Sequence, residues 1–289
     1  MGKVGIIGLG IMGSAYAKNL IKGGVSVEGA DPLPEARERL AGMGGVAHQA
    51  AGEWLADCDL VITSLISPAI LHEITETLVR VLKPGQVVME TGTFALADKM
   101  AAHDALVAAG LRPLDCPVSG TGAQAAVADL VMMASGDSEA IAHAKPYLSH
   151  ITKKVIEAGP YGMGSRLKYI ANHAVVLHNT AAAETLAYAD ALGMDRQMVY
   201  DMLSSGAGQS KMSDLRMPLM ISGQYEPPTA SLKMFRKDVT VIGDDIRRLG
   251  LSMPLFEAAT ERYETAFSSV PNTYDAAAVF EAYRTKPRE

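Results

Sequence analysis

The run Gly8-Leu9-Gly10-Ile11-Met12-Gly13 constrains what this chain can fold into more than any other segment of its 289 residues. It follows a short β-branched stretch at 4–7 and opens a helical pattern over 12–21. A strand, a G-x-G-x-x-G turn and a helix in that order make the first half of a βαβ unit. The first glycine permits the tight turn, the second leaves the backbone bare for a pyrophosphate, and the third lets the helix pack closely. The helix start adds unpaired N–H groups that attract an anion. Gly8, Gly10, Ile11, Met12 and Gly13 are therefore candidate cofactor-binding residues.

The same alternation continues downstream. Residues 25–30, 60–65, 87–89, 111–114 and 130–134 read as strands, and 35–43, 69–82 and 95–109 as helices, with breaks at Gly23-Gly24, Pro84-Gly85 and Gly110. A helix over 138–148 and a last strand over 153–156 precede Gly159-Pro160. Nearly continuous apolar strands imply a parallel sheet covered on both faces. Beyond that break the pattern is helical: a long helix over 166–192 ending at Gly193, then 196–204, 232–249, 254–267 and 274–283, with 206–209 and Glu226-Pro227-Pro228 in loops. The expected fold is α/β, an N-terminal Rossmann, doubly wound parallel sheet over 1–160 followed by an all-helical C-terminal domain over 161–289. The long helix is too apolar for one exposed flank, so the helical domain is expected to mediate a homodimer or homotetramer.

Charge and composition narrow the partners. A net charge of −6 and a pI near 5.7 give no general attraction to nucleic acid or anionic lipid. No apolar stretch is long enough to span a bilayer. Cys58 and Cys116 lack metal-ligand spacing, and such sparse use suits a reducing compartment. No metal is expected. The opening residues superficially resemble a signal peptide, but their glycines fit the strand-turn-helix pattern, so a cytoplasmic location is expected.

Asp31 falls at the end of the second predicted strand, where an acid accepts from ribose hydroxyls. A 2′-phosphate would set negative charge beside it, and Pro32-Leu33-Pro34 offers no cation, which favours NAD over NADP; Arg37 is the cation that could swing back. The competing reading of Asp31 is an N-cap for the helix beginning near Glu35.

Two later segments carry candidate chemistry. Asp115-Cys116-Pro117-Val118-Ser119-Gly120 follows a predicted strand, where loops at carboxyl ends line a ligand crevice. Its Ser119 hydroxyl and the N–H groups near Gly120 could receive a carboxylate, although taken alone the segment also reads as an ordinary Pro/Gly turn. Gly162-Met163-Gly164-Ser165-Arg166-Leu167-Lys168-Tyr169-Ile170-Ala171-Asn172 opens the long helix. Lys168 and Asn172 are four apart and share a face. A helix lysine is usually a solvated charge, but the apolar neighbours and the amide one turn later point to an oriented, partly buried ammonium.

Taken together, GLGIMG, DCPVSG, GMGSRLKYIAN and Phe235-Arg236-Lys237-Asp238 make the chain resemble, over essentially its whole length, the 3-hydroxyacid dehydrogenases, which include 3-hydroxyisobutyrate, threonate and tartronate-semialdehyde enzymes. The resemblance implies hydride transfer between NAD and a small hydroxy acid or semialdehyde. It makes Lys168 the catalytic lysine and Asn172 its helix amide. It also makes Ser119-Gly120 the substrate-binding turn, Lys237 a lysine reaching the cofactor, and Asp238 a residue beside the substrate, while Leu65 and Thr93 match positions touching the dinucleotide. The sequence departs from the family pattern at Thr121, where a second glycine is usual, and at Ala171, where asparagine is common. These departures bear on substrate identity. A semialdehyde or imine reductase on the same scaffold and a non-catalytic NAD-binding sensor are the alternatives; the intact Lys168, Asn172 and Ser119 set argues for catalysis.

Overall fold

The computed structural model describes residues 2–284. The chain forms two compact units, Met1–Lys168 and Tyr169–Glu289. The sequence reading divides it at 160/161, and the ends of that division, Met1 and 285–289, lie outside the described residues.

In the first unit, strands β1 (Lys3–Ile7), β2 (Ser26–Ala30), β3 (Val46–His48), β4 (Leu60–Thr63), β5 (Val87–Glu90) and β6 (Arg112–Asp115) are interleaved with helices α1 (Ile11–Lys22), α2 (Pro34–Gly42), α3 (Pro68–Val81) and α4 (Leu96–Ala108). Then follow β7 (Val118–Ser119), α5 (Gly122–Ala125), β8 (Val131–Gly136), α6 (Ser138–Ile151) and β9 (Lys154–Gly159). The sheet order is β3-β2-β1-β4-β5-β6-β8-β7, with β9 on β8. The first six strands in that order pair in parallel, which makes the expected doubly wound arrangement. The sheet is not parallel throughout: β8 runs antiparallel to β6 and β7, because the connection at 120–130, which contains α5, turns the chain back beside them instead of crossing over.

Successive strand residues feed opposite cores. Ile6, Ile62 and Met89 pack with Tyr16 and Leu20 of α1 and Leu148 of α6, whereas Ile7, Val61 and Val88 pack with Leu78 of α3 and Leu106 of α4. Burial on both faces is why these strands read as unbroken apolar runs. Strand β3 escaped the sequence reading because it has three residues at the sheet edge.

The long helix α7 (Met163–Ala191) contains the unit division. The second unit continues through α8 (Arg196–Ser204), α9 (Lys211–Ser222), α10 (Leu232–Arg248), α11 (Pro254–Ser269), a 3-10 turn at Ala276–Phe280 and α12 (Glu281–Arg284). Its core gathers Val176, Leu186, Met217, Phe235, Tyr263 and Phe280. The helix expected over 274–283 is thus the 3-10 turn plus one short helix, set by Asp275. That carboxylate accepts the Thr229 and Ala277 N–H groups at 2.8 and 2.9 Å and meets the Arg216 guanidinium at 2.6 Å. Helix α9 was hidden by its internal Pro218, while Ser210 and Ser213 supply a reciprocal cap at its start. Among the described residues no helix is long and apolar enough to cross a membrane.

Candidate functional site

The glycine turn is dictated partly by the chain and partly left open. Gly8 has φ of 91°, and a Cβ there would come 2.3 Å from the Ser64 carbonyl oxygen. A Cβ on Gly13 would lie 1.9 Å from the Gly8 carbonyl oxygen. Side chains at both positions would collide with backbone. Gly10 differs: nothing lies within 4 Å of where its Cβ would be, so this glycine keeps a surface clear. It is also the N-cap of α1, has no side-chain cap, and precedes a first turn without acids. Exposed Ile11 and half-buried Met12 flank the opening. Bare N–H groups, a positive helix end and open space together fit a dinucleotide pyrophosphate.

Asp31 leaves β2 and accepts the Leu9 N–H at 2.8 Å and the Leu33 N–H at 2.9 Å. The N-cap of α2 is Leu33, not Asp31, which removes the capping alternative. A carboxylate offers roughly four acceptor positions, so Asp31 retains capacity for ribose hydroxyls. Cations absent from Pro32-Leu33-Pro34 arrive from the next helix. Arg37 donates to the Asp31 and Pro32 carbonyls at 2.8 Å each, and Arg39 donates to the Leu9 carbonyl at 3.2 Å.

Leu65, Thr93 and Ser119 come after β4, β5 and β6, on the same carboxyl edge as Gly8 after β1 and Asp31 after β2. The strand order reverses between β1 and β4, the switch point at which such sheets bind ligands. Leu65 is half-buried against Leu71, Phe94 and Ala102; Thr93 and Ser119 are also half-buried. Gly120 is exposed with φ of 142°. Thr121 has a local role: its hydroxyl accepts the Gln124 N–H, and the Gln124 side chain accepts the Thr121 N–H at 3.0 Å, a reciprocal cap that starts α5.

Along α7, Lys168 is half-buried and Asn172 is 8% exposed. Asn172 donates its amide to Asp238 Oδ2 at 2.9 Å, and Lys237 Nζ lies 3.4 Å from Asp238 Oδ1. Asp238, which the family resemblance sets beside the substrate, also accepts from the helix amide. His173 stacks on Phe256 at 5.1 Å, which accounts for it by packing.

Sequence reasoning missed a buried ionic cluster at the strand ends of the first unit. Lys99 Nζ lies 2.5 Å from both Glu90 Oε2 and Asp115 Oδ1, and donates to the Gly92 carbonyl at 2.8 Å and Ser165 Oγ at 3.1 Å. Lys99 and Asp115 are fully buried. Burial works against the Lys99 ammonium, but Glu90 and Asp115 outweigh it and hold its pKa above the ordinary value. Burial raises the Glu90 carboxyl despite Lys99. The available signal was Lys99 itself, in register with Ala102 and Leu106 on the buried stripe of α4.

The chain is similar over its length to known proteins. Residues 3–159 match the family described as the NAD binding domain of 6-phosphogluconate dehydrogenase, and residues 162–283 the family described as NAD-binding of NADP-dependent 3-hydroxyisobutyrate dehydrogenase. The L-threonate dehydrogenase of Cupriavidus necator is 32% identical, the alignment covering 97% of this chain and 95% of that one. The crystal structure of 3-hydroxyisobutyrate dehydrogenase from Salmonella typhimurium superposes with a TM-score of 0.87 at 31% identity, covering 97% of this chain and 99% of that one. The Mycobacterium tuberculosis 3-hydroxyisobutyrate dehydrogenase with L-serine gives 0.91 at 27% identity, covering 99% and 100%.

Proposed function

Because this chain belongs to the 3-hydroxyacid dehydrogenase family, with the L-threonate and 3-hydroxyisobutyrate dehydrogenases, we propose that it oxidises a small hydroxy acid, with Lys168 as the proton carrier. NAD, when bound, supplies the hydride acceptor. The reading rests above all on the Asn172–Asp238 hydrogen bond of 2.9 Å, one turn beyond Lys168. With one amide N–H given to Asp238, Asn172 still has a carbonyl oxygen able to accept from an ammonium or a hydroxyl.

In oxidation, neutral Lys168 takes the substrate hydroxyl proton; in reduction, its ammonium returns it. Asn172 orients the oxygen or the lysine. Ser119 and the N–H groups near Gly120 receive the substrate carboxylate, which fixes the reacting carbon. Gly8, Gly10, Ile11, Met12 and Gly13 hold the dinucleotide phosphates, Asp31 its ribose, and Leu65, Thr93 and Lys237 its remaining length. Asp31 favours NAD over NADP, whose 2′-phosphate would meet that carboxylate. Residues 1–160 bind the dinucleotide, and 161–289 serve substrate binding and assembly as a homodimer or homotetramer. A cytoplasmic location suits the thiols: both cysteines are free and buried, and burial pushes Cys58 up to about 12.

The experiment is NAD reduction by the purified protein over a panel of hydroxy acids, beginning with L-threonate and 3-hydroxyisobutyrate, the substrates in the names of its relatives. Turnover with at least one member is expected. A protein that binds NADH but reduces no NAD with any of them would instead be a dinucleotide-binding sensor.

A further inference from the structure

The first N–H groups of a helix have no partner within it, and a Ser, Thr, Asp or Asn just before the helix usually supplies one. Helix α7 lacks that residue type: Pro160, Tyr161 and Gly162 precede it. Its partners come from the ends of β6 and β8. The Gly164 N–H donates to Ser135 Oγ at 2.9 Å, and the Ser165 N–H donates to Asp115 Oδ2 at 2.8 Å. The Ser165 hydroxyl donates to Asp115 Oδ1 at 2.9 Å. Lys99 Nζ, 2.5 Å from that same oxygen, donates to the Asp115 carboxylate and braces it from behind. Position 164 shows how closely the turn is seated: a Cβ there would lie 2.4 Å from the Met133 carbonyl oxygen and 2.7 Å from that of Asp115. Only glycine lets the helix start this near the strands.

We propose that Asp115 and Ser135, with Lys99 behind them, are positioning residues for the reaction: they cap α7 from the sheet and so set where Lys168 stands. The proposal rests on Lys168 being the proton carrier. Lys168 is three residues past Ser165, about 4.5 Å along the helix axis, so any slip or fraying of the capped turn carries the ammonium with it. An anionic cap at this end also favours the helix dipole, which a neutral replacement would forfeit. A displacement of about 1 Å at a reacting group can cost about 100-fold in rate.

The test compares Ser135→Ala, which removes the acceptor of the Gly164 N–H, with Asp115→Asn, Glu90→Gln and Lys168→Ala in the full chain. Measurements are kcat, KM for the hydroxy acid, Kd for NADH, the melting midpoint, and the rate at which an amine-reactive ester acylates Lys168, read by peptide mass spectrometry. Ser135→Ala and Asp115→Asn should lower kcat about 10- to 100-fold with KM and NADH Kd within about threefold, and should alter the acylation rate of Lys168 but not of surface lysines. Glu90 reaches Lys99 but not α7, so Glu90→Gln should lose less than Ser135→Ala. If Asp115→Asn does not fold, the neutral Ser135→Ala substitution decides alone. Folded Ser135→Ala protein with kcat and Lys168 acylation within about twofold of wild type, beside a Lys168→Ala variant that has lost turnover, overturns the positioning role and leaves the proton carrier standing. Lys168→Ala protein that keeps its kcat overturns the proton carrier, and this proposal with it.

Discussion

At the scale of single residues, Lys168 is half-buried at the start of a helix, one turn before an amide held by a carboxylate. Removing its amine should leave fold and NADH binding intact and lower kcat by about 10²- to 10⁴-fold, the range for a positioned general acid/base. Lys168→Arg should fail similarly, since a guanidinium stays charged and cannot accept the proton. Kinetics, an NADH titration and a melting curve on the same variants check this; a lysine serving only as a structural ion pair would lose stability and keep its turnover. Asp31 does two jobs, which predicts a double signature. Asp31→Ala should narrow the ratio of kcat/KM for NAD over NADP, because a repulsive charge leaves while Arg37 stays 2.8 Å from the neighbouring carbonyls. It should also cost about 1–3 kcal/mol of stability, because the Leu9 and Leu33 N–H groups lose their acceptor. A wild-type preference for NADP would refute the assignment of Asp31.

At the scale of elements, two helix glycines should respond oppositely to alanine. Gly164 is seated against the carbonyls of Met133 and Asp115, so Gly164→Ala forces backbone apart and should destabilise by about 1–3 kcal/mol. Gly243 lies inside α10, where an added Cβ meets only ordinary contacts at 3.5 Å and beyond. Gly243→Ala should therefore stabilise by about 0.4–1 kcal/mol, through the unfolded chain's lost freedom. Urea denaturation of the two variants reads both signs. The same contrast explains which elements were legible in advance. Strands such as β4 and β5, buried along their whole length, announce themselves in their own residues. Helix α9 does not, because Pro218 interrupts its pattern and its caps at Ser210 and Ser213 lie in a polar run.

At the scale of the whole molecule, the second unit exposes apolar residues in sequence: Tyr188 at 66%, Leu192 at 56%, Met198 at 53% and Met202 at 61%. Exposed apolar side chains four residues apart, at the end of α7 and on α8, are the kind of surface that a partner covers. Light scattering after size exclusion should give a dimer or tetramer mass, and a monomer at micromolar concentration would refute the expected assembly. The glycine turn, the alternating strands and helices and the change to helices after Gly159-Pro160 were readable in the sequence because each is a local property: a φ angle, a periodicity or a break confined to a few neighbouring residues. Lys168 and Asn172 were visible as a pair for the same reason, being one helical turn apart. What only the tertiary structure decided is which groups meet over long separations. Lys99 and Asp115 are 16 residues apart, Asp115 and Ser165 50, and Asn172 and Asp238 66. No local pattern encodes such pairs. They form because burying the two faces of the sheet and the core of the helical unit brings distant polar groups out of water, where each is stable only beside a partner that folding delivers to it.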